Sequence, residues 1–159
     1  MHKNANFLES LRCAWTGIRR AVRTERNLRF HLCIANLICV FAWYFGISRA
    51  EWGLLFLAIA FMLVTELFNT ALEQAADAAT EQYSDHVKMA KDVAAGGVLT
   101  AAAAALIVGC ILFLDLEKIT YTLARIFTNW DILVPCLLLG AADVLFLIFG
   151  GERNKHEKE

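Results

Sequence analysis

Residues 52–77 read WGLLFLAIAFMLVTELFNTALEQAAD, and this stretch decides the fold. Trp52–Phe68 is apolar enough to cross a hydrocarbon layer of about 30 Å, for which a helix needs roughly 17 to 25 residues. Glu66 is its one charge, and its neighbours Leu63, Val64, Leu67 and Phe68 are all apolar. Asn69, Glu73 and Asp77 follow at spacings of three, four and four, which puts all four residues on one stripe of a helix. A solvated helix extension accounts for Asp77 and for Glu73. It does not account for Glu66, because a carboxylate at the edge of hydrocarbon costs several kcal/mol unless it is paired or hydrated.

Working outward, three further apolar stretches fit a membrane crossing: Leu32–Ile47, Val93–Leu114 and Ile132–Phe149, the last carrying Pro135 and Asp143. Composition agrees: 58% of the 159 residues are hydrophobic and only 19% charged, against about 45–50% and 25% in soluble chains. A disordered or fibrous protein is excluded, and an ordinary water-soluble globule is argued against. The first span begins too late, and lacks the small-residue cleavage site, for a secretory signal. Cys13, Cys33, Cys39, Cys110 and Cys136 form no CxxC pair and fall mostly in apolar runs, so neither a disulfide framework nor a zinc site is indicated. The basic residues adjoin apolar segments and cover no separate domain, which argues against a nucleic-acid partner.

Lys and Arg accumulate on the cytoplasmic side of membrane proteins. With the N-terminus inside and four alternating spans, Lys3, Arg12, Arg19, Arg20, Arg23, Arg26, Arg29, Lys88, Lys91, Arg153, Lys155 and Lys158 lie inside, and only Arg49, Lys118 and Arg125 lie outside. Trp43, Tyr44, Trp52 and Trp130 fall at the outer ends of spans, where amphipathic rings prefer to sit. Both termini are expected in the cytoplasm. The third span is rich in small residues (Ala94, Ala95, Gly96, Gly97 and Ala101–Ala105), which let helix backbones approach closely in lipid, within one subunit and between subunits.

Read as one helix, Phe7–Arg26 is amphipathic. Phe7, Leu11, Ala14, Ile18 and Val22 share a face flanked by Leu8 and Trp15, and the arginines occupy the other, as in a helix lying in the membrane interface. Glu25 then lands on the apolar face, where it must meet protein, a cation or water. Alternatively the helix ends near Thr24 and Glu25 is solvated. Lys91 and Asp92 open the third span after a polar connector, Thr80–Lys91, either as an interfacial anchor or beside the acidic stripe. Oxygen ligands of this kind suit Mg²⁺, which takes one or two carboxylates plus phosphate oxygens and water, and such a set serves phosphoryl transfer. No phosphate-binding loop, kinase glycine-rich loop, GxSxG or HExxH motif is present. His2, His86 and His156 are read as solvent-facing, and His31, at the edge of the first span, as interfacial in preference to near the site.

The run Glu66-Leu67-Phe68-Asn69-Thr70-Ala71-Leu72-Glu73-Gln74-Ala75-Ala76-Asp77, with Ala90-Lys91-Asp92 beyond it, resembles the prokaryotic diacylglycerol kinase family. That family's signature is E-x-x-N-[ST]-A-[IL]-E-x-x-x-D followed by A-K-D. Ala14-Trp15-Thr16-Gly17-Ile18 also resembles the family, and Thr24–His31 is more similar to its Gram-positive-type branch, whose members phosphorylate undecaprenol. The similarity covers roughly Phe7–Leu114. It implies a three-span membrane lipid kinase; with the N-terminal interfacial helix and the fourth, C-terminal span read from the residues, an all-α integral membrane bundle is expected. It further implies a homotrimer with active sites between subunits at the cytoplasmic face of the bacterial inner membrane. By this resemblance Glu66 is the catalytic base, and Glu25 and Glu73 hold the divalent cation, Mg²⁺, that bridges the phosphates of ATP. Glu25, Glu73, Asp77, Tyr83, Lys91 and Asp92 are assigned to the nucleotide, and Trp15, Glu66 and Asn69 to the lipid alcohol.

Departures stand where the family often uses Arg and Tyr near ATP (Asn6 and Cys13 here) and where its loop usually holds His (Ser84, with His86 two residues on). The chain thus divides into a lipid kinase membrane domain, residues 1–115, and a C-terminal extension, 116–159, with an interfacial helix Ile119–Phe127 and the extra span. The expected activity is phosphorylation of a membrane lipid alcohol by ATP, undecaprenol first and diacylglycerol as the alternative. Two other classes compete with it. A small proton or cation transporter would spread acids through the bilayer depth, whereas the first and third spans carry none. A non-catalytic membrane adaptor would fail to bind Mg-ATP.

Overall fold

The computed structural model describes residues 7–79 and 84–151. Among these, six helices follow one another: α1 (Phe7–Thr24), α2 (Arg26–Phe45), α3 (Arg49–Ala79), α4 (Asp85–Phe113), α5 (Leu116–Thr128) and α6 (Trp130–Phe149). Four of them, α2, α3, α4 and α6, are long and apolar enough to cross a membrane. The expected all-α membrane bundle is present, with longer helices than the hydropathy marked. Backbone polar groups have no water to turn to in hydrocarbon, so spanning segments satisfy them within each helix.

The helix ends are fixed by recognisable chemistry. α2 stops at Gly46, which adopts the left-handed conformation (φ 71°, ψ 56°) and donates its N–H to the Ala42 carbonyl. α3 starts with a reciprocal cap: Ser48 N–H donates to Glu51 Oε2 at 2.6 Å and Glu51 N–H to Ser48 Oγ at 3.4 Å. Gly46→Ala puts a β-carbon into the left-handed region, and the expected result is a loss of about 1 kcal/mol, read as a lowered midpoint of thermal unfolding in detergent.

The amphipathic N-terminal helix ends at Thr24, as the second of the two sequence readings had it, with Glu25 half-buried where that reading had it solvated. Glu25 is extended (φ −96°, ψ 114°) and forms the N-cap position of α2. The cause lies in α2: Arg29 Nη1 donates to the Val22 and Arg23 carbonyls at 2.9 and 3.0 Å. A cation thereby occupies the C-terminal carbonyls of α1, which a helix end otherwise leaves without partners. On α1 only Ala21 is buried, and Phe7, Leu8, Leu11, Trp15 and Ile18 are exposed along one face, as an interfacial helix requires.

α3 and α4 form the most closely packed pair, joined through residues 80–83, which lie outside the described set. A β-carbon on Gly97 would touch Thr65 Cγ2 at 3.7 Å, and Ala101 is 1% exposed. The small residues of the third span thus serve close approach within the chain. At the Gly46 end, Ala42, Phe45, Ile47, Leu55 and Leu112 form the core, with Phe113 edge-on to Phe41 and Phe45 at 5.4 and 5.2 Å. Towards Glu66 this packing loosens. Between α2, α3 and α4 a groove of about 370 Å³ opens, walled by Ile34, Ile38, Ile59, Met62 and Ala105 and reaching His31.

Candidate active site

Glu66 sits on α3 with 2% of its surface exposed. The Asn27 side chain stands beside its carboxylate, and His31, Glu25 and Glu73 stand within electrostatic reach. Its Oε2 is buried without a hydrogen-bond partner among the described residues. Three pieces of chain build this site. The extended α1–α2 link presents Glu25, half-buried; the first turns of α2 present Asn27 and His31, four residues apart on one face; and α3 presents the acidic stripe. The break at Glu25 is what turns that carboxylate away from a helical face and towards the protein.

Along the stripe, Asn69 Nδ2 donates to Glu73 Oε1 at 3.0 Å, and Asn69 Oδ1 is buried without a partner among the described residues. One turn further Asp77 forms an ion pair with Lys91 of α4, its side chain 69% exposed. At 1.5 Å per residue, Asp77 lies about 16 Å along the helix from Glu66. The stripe therefore runs from a buried acid to an exposed ion pair. Lys91 returns to it across the connector, as one of the two sequence readings had it. Asp92 and His86 are exposed at the start of α4, Ser84 precedes that helix, and Cys13 is exposed on α1. Trp15 stands on the outward apolar face of α1, 66% exposed. Tyr83 and Asn6 fall outside the described residues.

Of two residues beside Glu66, sequence reasoning misses Asn27 and ranks the near-site reading of His31 second. Asn27 carries no periodicity signal, and His31 is read there as interfacial. The one available hint is that both lie in the Thr24–His31 segment.

The donor set suits a hard divalent cation. Glu25 and Glu73 add negative charge within electrostatic reach of Glu66, and Glu66 Oε2 and Asn69 Oδ1 are buried acceptors without a hydrogen-bond partner among the described residues. Such a concentration of acceptors attracts a cation. Among the described residues no three His, Cys, Asp or Glu form a complete metal cage. Mg²⁺ needs none, since it keeps waters and takes phosphate oxygens alongside one or two carboxylates. Leu63, one turn before Glu66 on α3, and His31, within electrostatic reach of Glu66, both line the apolar groove. The groove therefore ends near the buried acid that heads the polar stripe.

The family model for prokaryotic diacylglycerol kinase matches residues 12–113. An undecaprenol kinase of Bacillus subtilis is 37% identical over 115 residues, covering 71% of this chain and 94% of its own. A diacylglycerol kinase of Synechocystis is 40% identical over 119 residues, covering 70% of this chain and 68% of its own. That of Escherichia coli K12 is 28% identical over 99 residues, 62% of this chain and 81% of its own. No solved structure matches the chain significantly.

Proposed function

The chain belongs to the prokaryotic diacylglycerol kinase family, and from that premise we propose that it moves the γ-phosphoryl group of ATP onto the hydroxyl of undecaprenol. It is a lipid kinase and an integral membrane protein. The reaction runs at the cytoplasmic face of the bacterial inner membrane, an orientation supported by the concentration of Lys and Arg in α1, in the first turns of α2 and α4, and in the tail. The enzyme works as a homotrimer, to which the many apolar side chains turned outward on α3 and α4 lend support.

The single observation that carries this reading is the placement of Glu66: a buried carboxylate at the head of the acidic stripe, with Leu63 and His31 near it lining the groove. The alcohol's hydrocarbon chain lies in the groove, which sets its hydroxyl at Glu66. Glu66 accepts the hydroxyl proton as the oxygen attacks the γ-phosphorus, and the bond to the β-phosphate oxygen breaks to release ADP. Asn27 holds the carboxylate in place and Asn69 orients Glu73. Glu25 and Glu73 would hold Mg²⁺, which supplies neutralisation of the phosphate charge. Lys91 offsets further phosphate charge, with Asp77 steering it, and Asp92 and Tyr83 complete the nucleotide contacts. Trp15 anchors α1 beside the lipid.

Undecaprenol leads because the relative of that name is covered over nearly its whole length. Diacylglycerol follows because the Synechocystis relative has the higher identity. Purified protein incubated with labelled Mg-ATP and equal amounts of both alcohols is expected to label undecaprenol first. Labelling of diacylglycerol alone reverses that order, and labelling of neither, with proton flux in ATP-free liposomes, replaces the kinase by a transporter.

A further inference from the structure

The extension after residue 115 lies beyond the family match, which ends at 113. The structure places it along α2 at three levels. At the Gly46 end, Lys118 of α5 donates to the Gly46 carbonyl at 3.4 Å and sits 4.4 Å from the centre of the Phe45 ring. In the middle, Asn36 Nδ2 donates to Asp143 Oδ1 and Oδ2, each at 3.1 Å, and the Cys33 thiol faces the Asp143 carbonyl at 3.5 Å. At the Glu66 end, the guanidinium of Arg29 lies against Gly151, so close that a β-carbon there would be 2.7 Å from Nη2. The same guanidinium holds the end of α1.

These contacts are too specific for a passive anchor. An aspartate within an otherwise apolar span is costly unless a partner donates to it, and between helices in lipid such hydrogen bonds fix register. α2 carries Asn27 and His31, and the link before it carries Glu25, so the register of α2 against α3 sets the site. We propose that α5 and α6 form a strut that holds α2 in register, with Asn36 and Asp143 as positioning residues for the phosphoryl transfer. The strut rests on the lipid-kinase reading for its effect on rate, though not for its docking.

The test uses the full chain in nanodiscs. Asn36→Ala and Asp143→Ala are each expected to lower kcat about tenfold, since small misplacements of a reacting group carry large rate penalties. KM for ATP stays within about twofold, because the exposed nucleotide end of the stripe is untouched. The double variant falls no further than either single one, as coupled partners require, and Asp143→Asn restores the rate. A second readout is the distance between spin labels at Leu37→Cys and Val144→Cys in a chain with its native cysteines replaced. Its distribution broadens in Asp143→Ala and stays narrow in Asp143→Asn. Unchanged kcat in the alanine variants overturns the proposal, as do multiplying effects or a distribution that never broadens. Should the alanine variants fail to insert, Lys118→Met at the opposite end is expected to lower kcat about threefold with KM unchanged, and no change overturns the strut. A wild-type chain inactive on every alcohol refutes the kinase reading instead, and the label distances still decide the docking.

Discussion

Glu66→Gln is expected to lower turnover by about 10³-fold, the scale at which loss of a general base is felt, while Mg-ATP still binds within about twofold. The amide matches the carboxylate in shape and keeps an acceptor for Asn27, but it takes no proton from the lipid hydroxyl. Loss of fold does not explain the effect. Glu66 is 2% exposed and its Oε2 has no hydrogen-bond partner among the described residues, so replacing a buried acid by a neutral amide removes a desolvation cost. The unfolding midpoint of Glu66→Gln is therefore expected at or above that of the wild type. Turnover and nucleotide binding measured on the same preparation check all three statements. Near-normal turnover would remove Glu66 from the role of base.

The four crossings were legible because each is long, apolar and bounded by charge or turn residues, and in lipid those properties alone decide. Their limits were less so. Hydropathy starts the first span at Leu32, whereas α2 starts at Arg26: Arg26 and Arg29 lower the average, but Arg29 is spent on the carbonyls of α1 and is buried. The break at Glu25 was open as an alternative, but no local signal selected it. Neither Gly nor Pro marks it, and what ends α1 is a guanidinium six and seven residues further on. The stripe Glu66-Asn69-Glu73-Asp77 could be read because it is a property of one helix. Asn27 could not, nor could the near-site place of His31 be preferred, because their nearness to Glu66 is a contact between α2 and α3 that no periodicity encodes. Asp143 was visible as an oddity in an apolar span, but its partner Asn36 is 107 residues away in sequence.

Glu73→Gln separates nucleotide binding from chemistry. Glu73 is half-buried and its Oε1 already accepts from Asn69, so the glutamine keeps the volume and that hydrogen bond while removing one negative charge. If the carboxylate holds Mg²⁺ against the phosphates, the charge is what matters. The Kd for Mg-ATP is then expected to rise about 30-fold, or about 2 kcal/mol at 1.4 kcal/mol per tenfold. Binding of ATP without Mg²⁺ should change far less, since the lost partner is the cation. Raising Mg²⁺ should recover part of the affinity by mass action, and kcat at saturation should fall less than in Glu66→Gln, because Glu66 still takes the proton. Equilibrium titration with and without Mg²⁺ distinguishes this from general weakening. Equal losses in both titrations would mean that Glu73 supports the stripe through Asn69 alone and that the cation is held elsewhere.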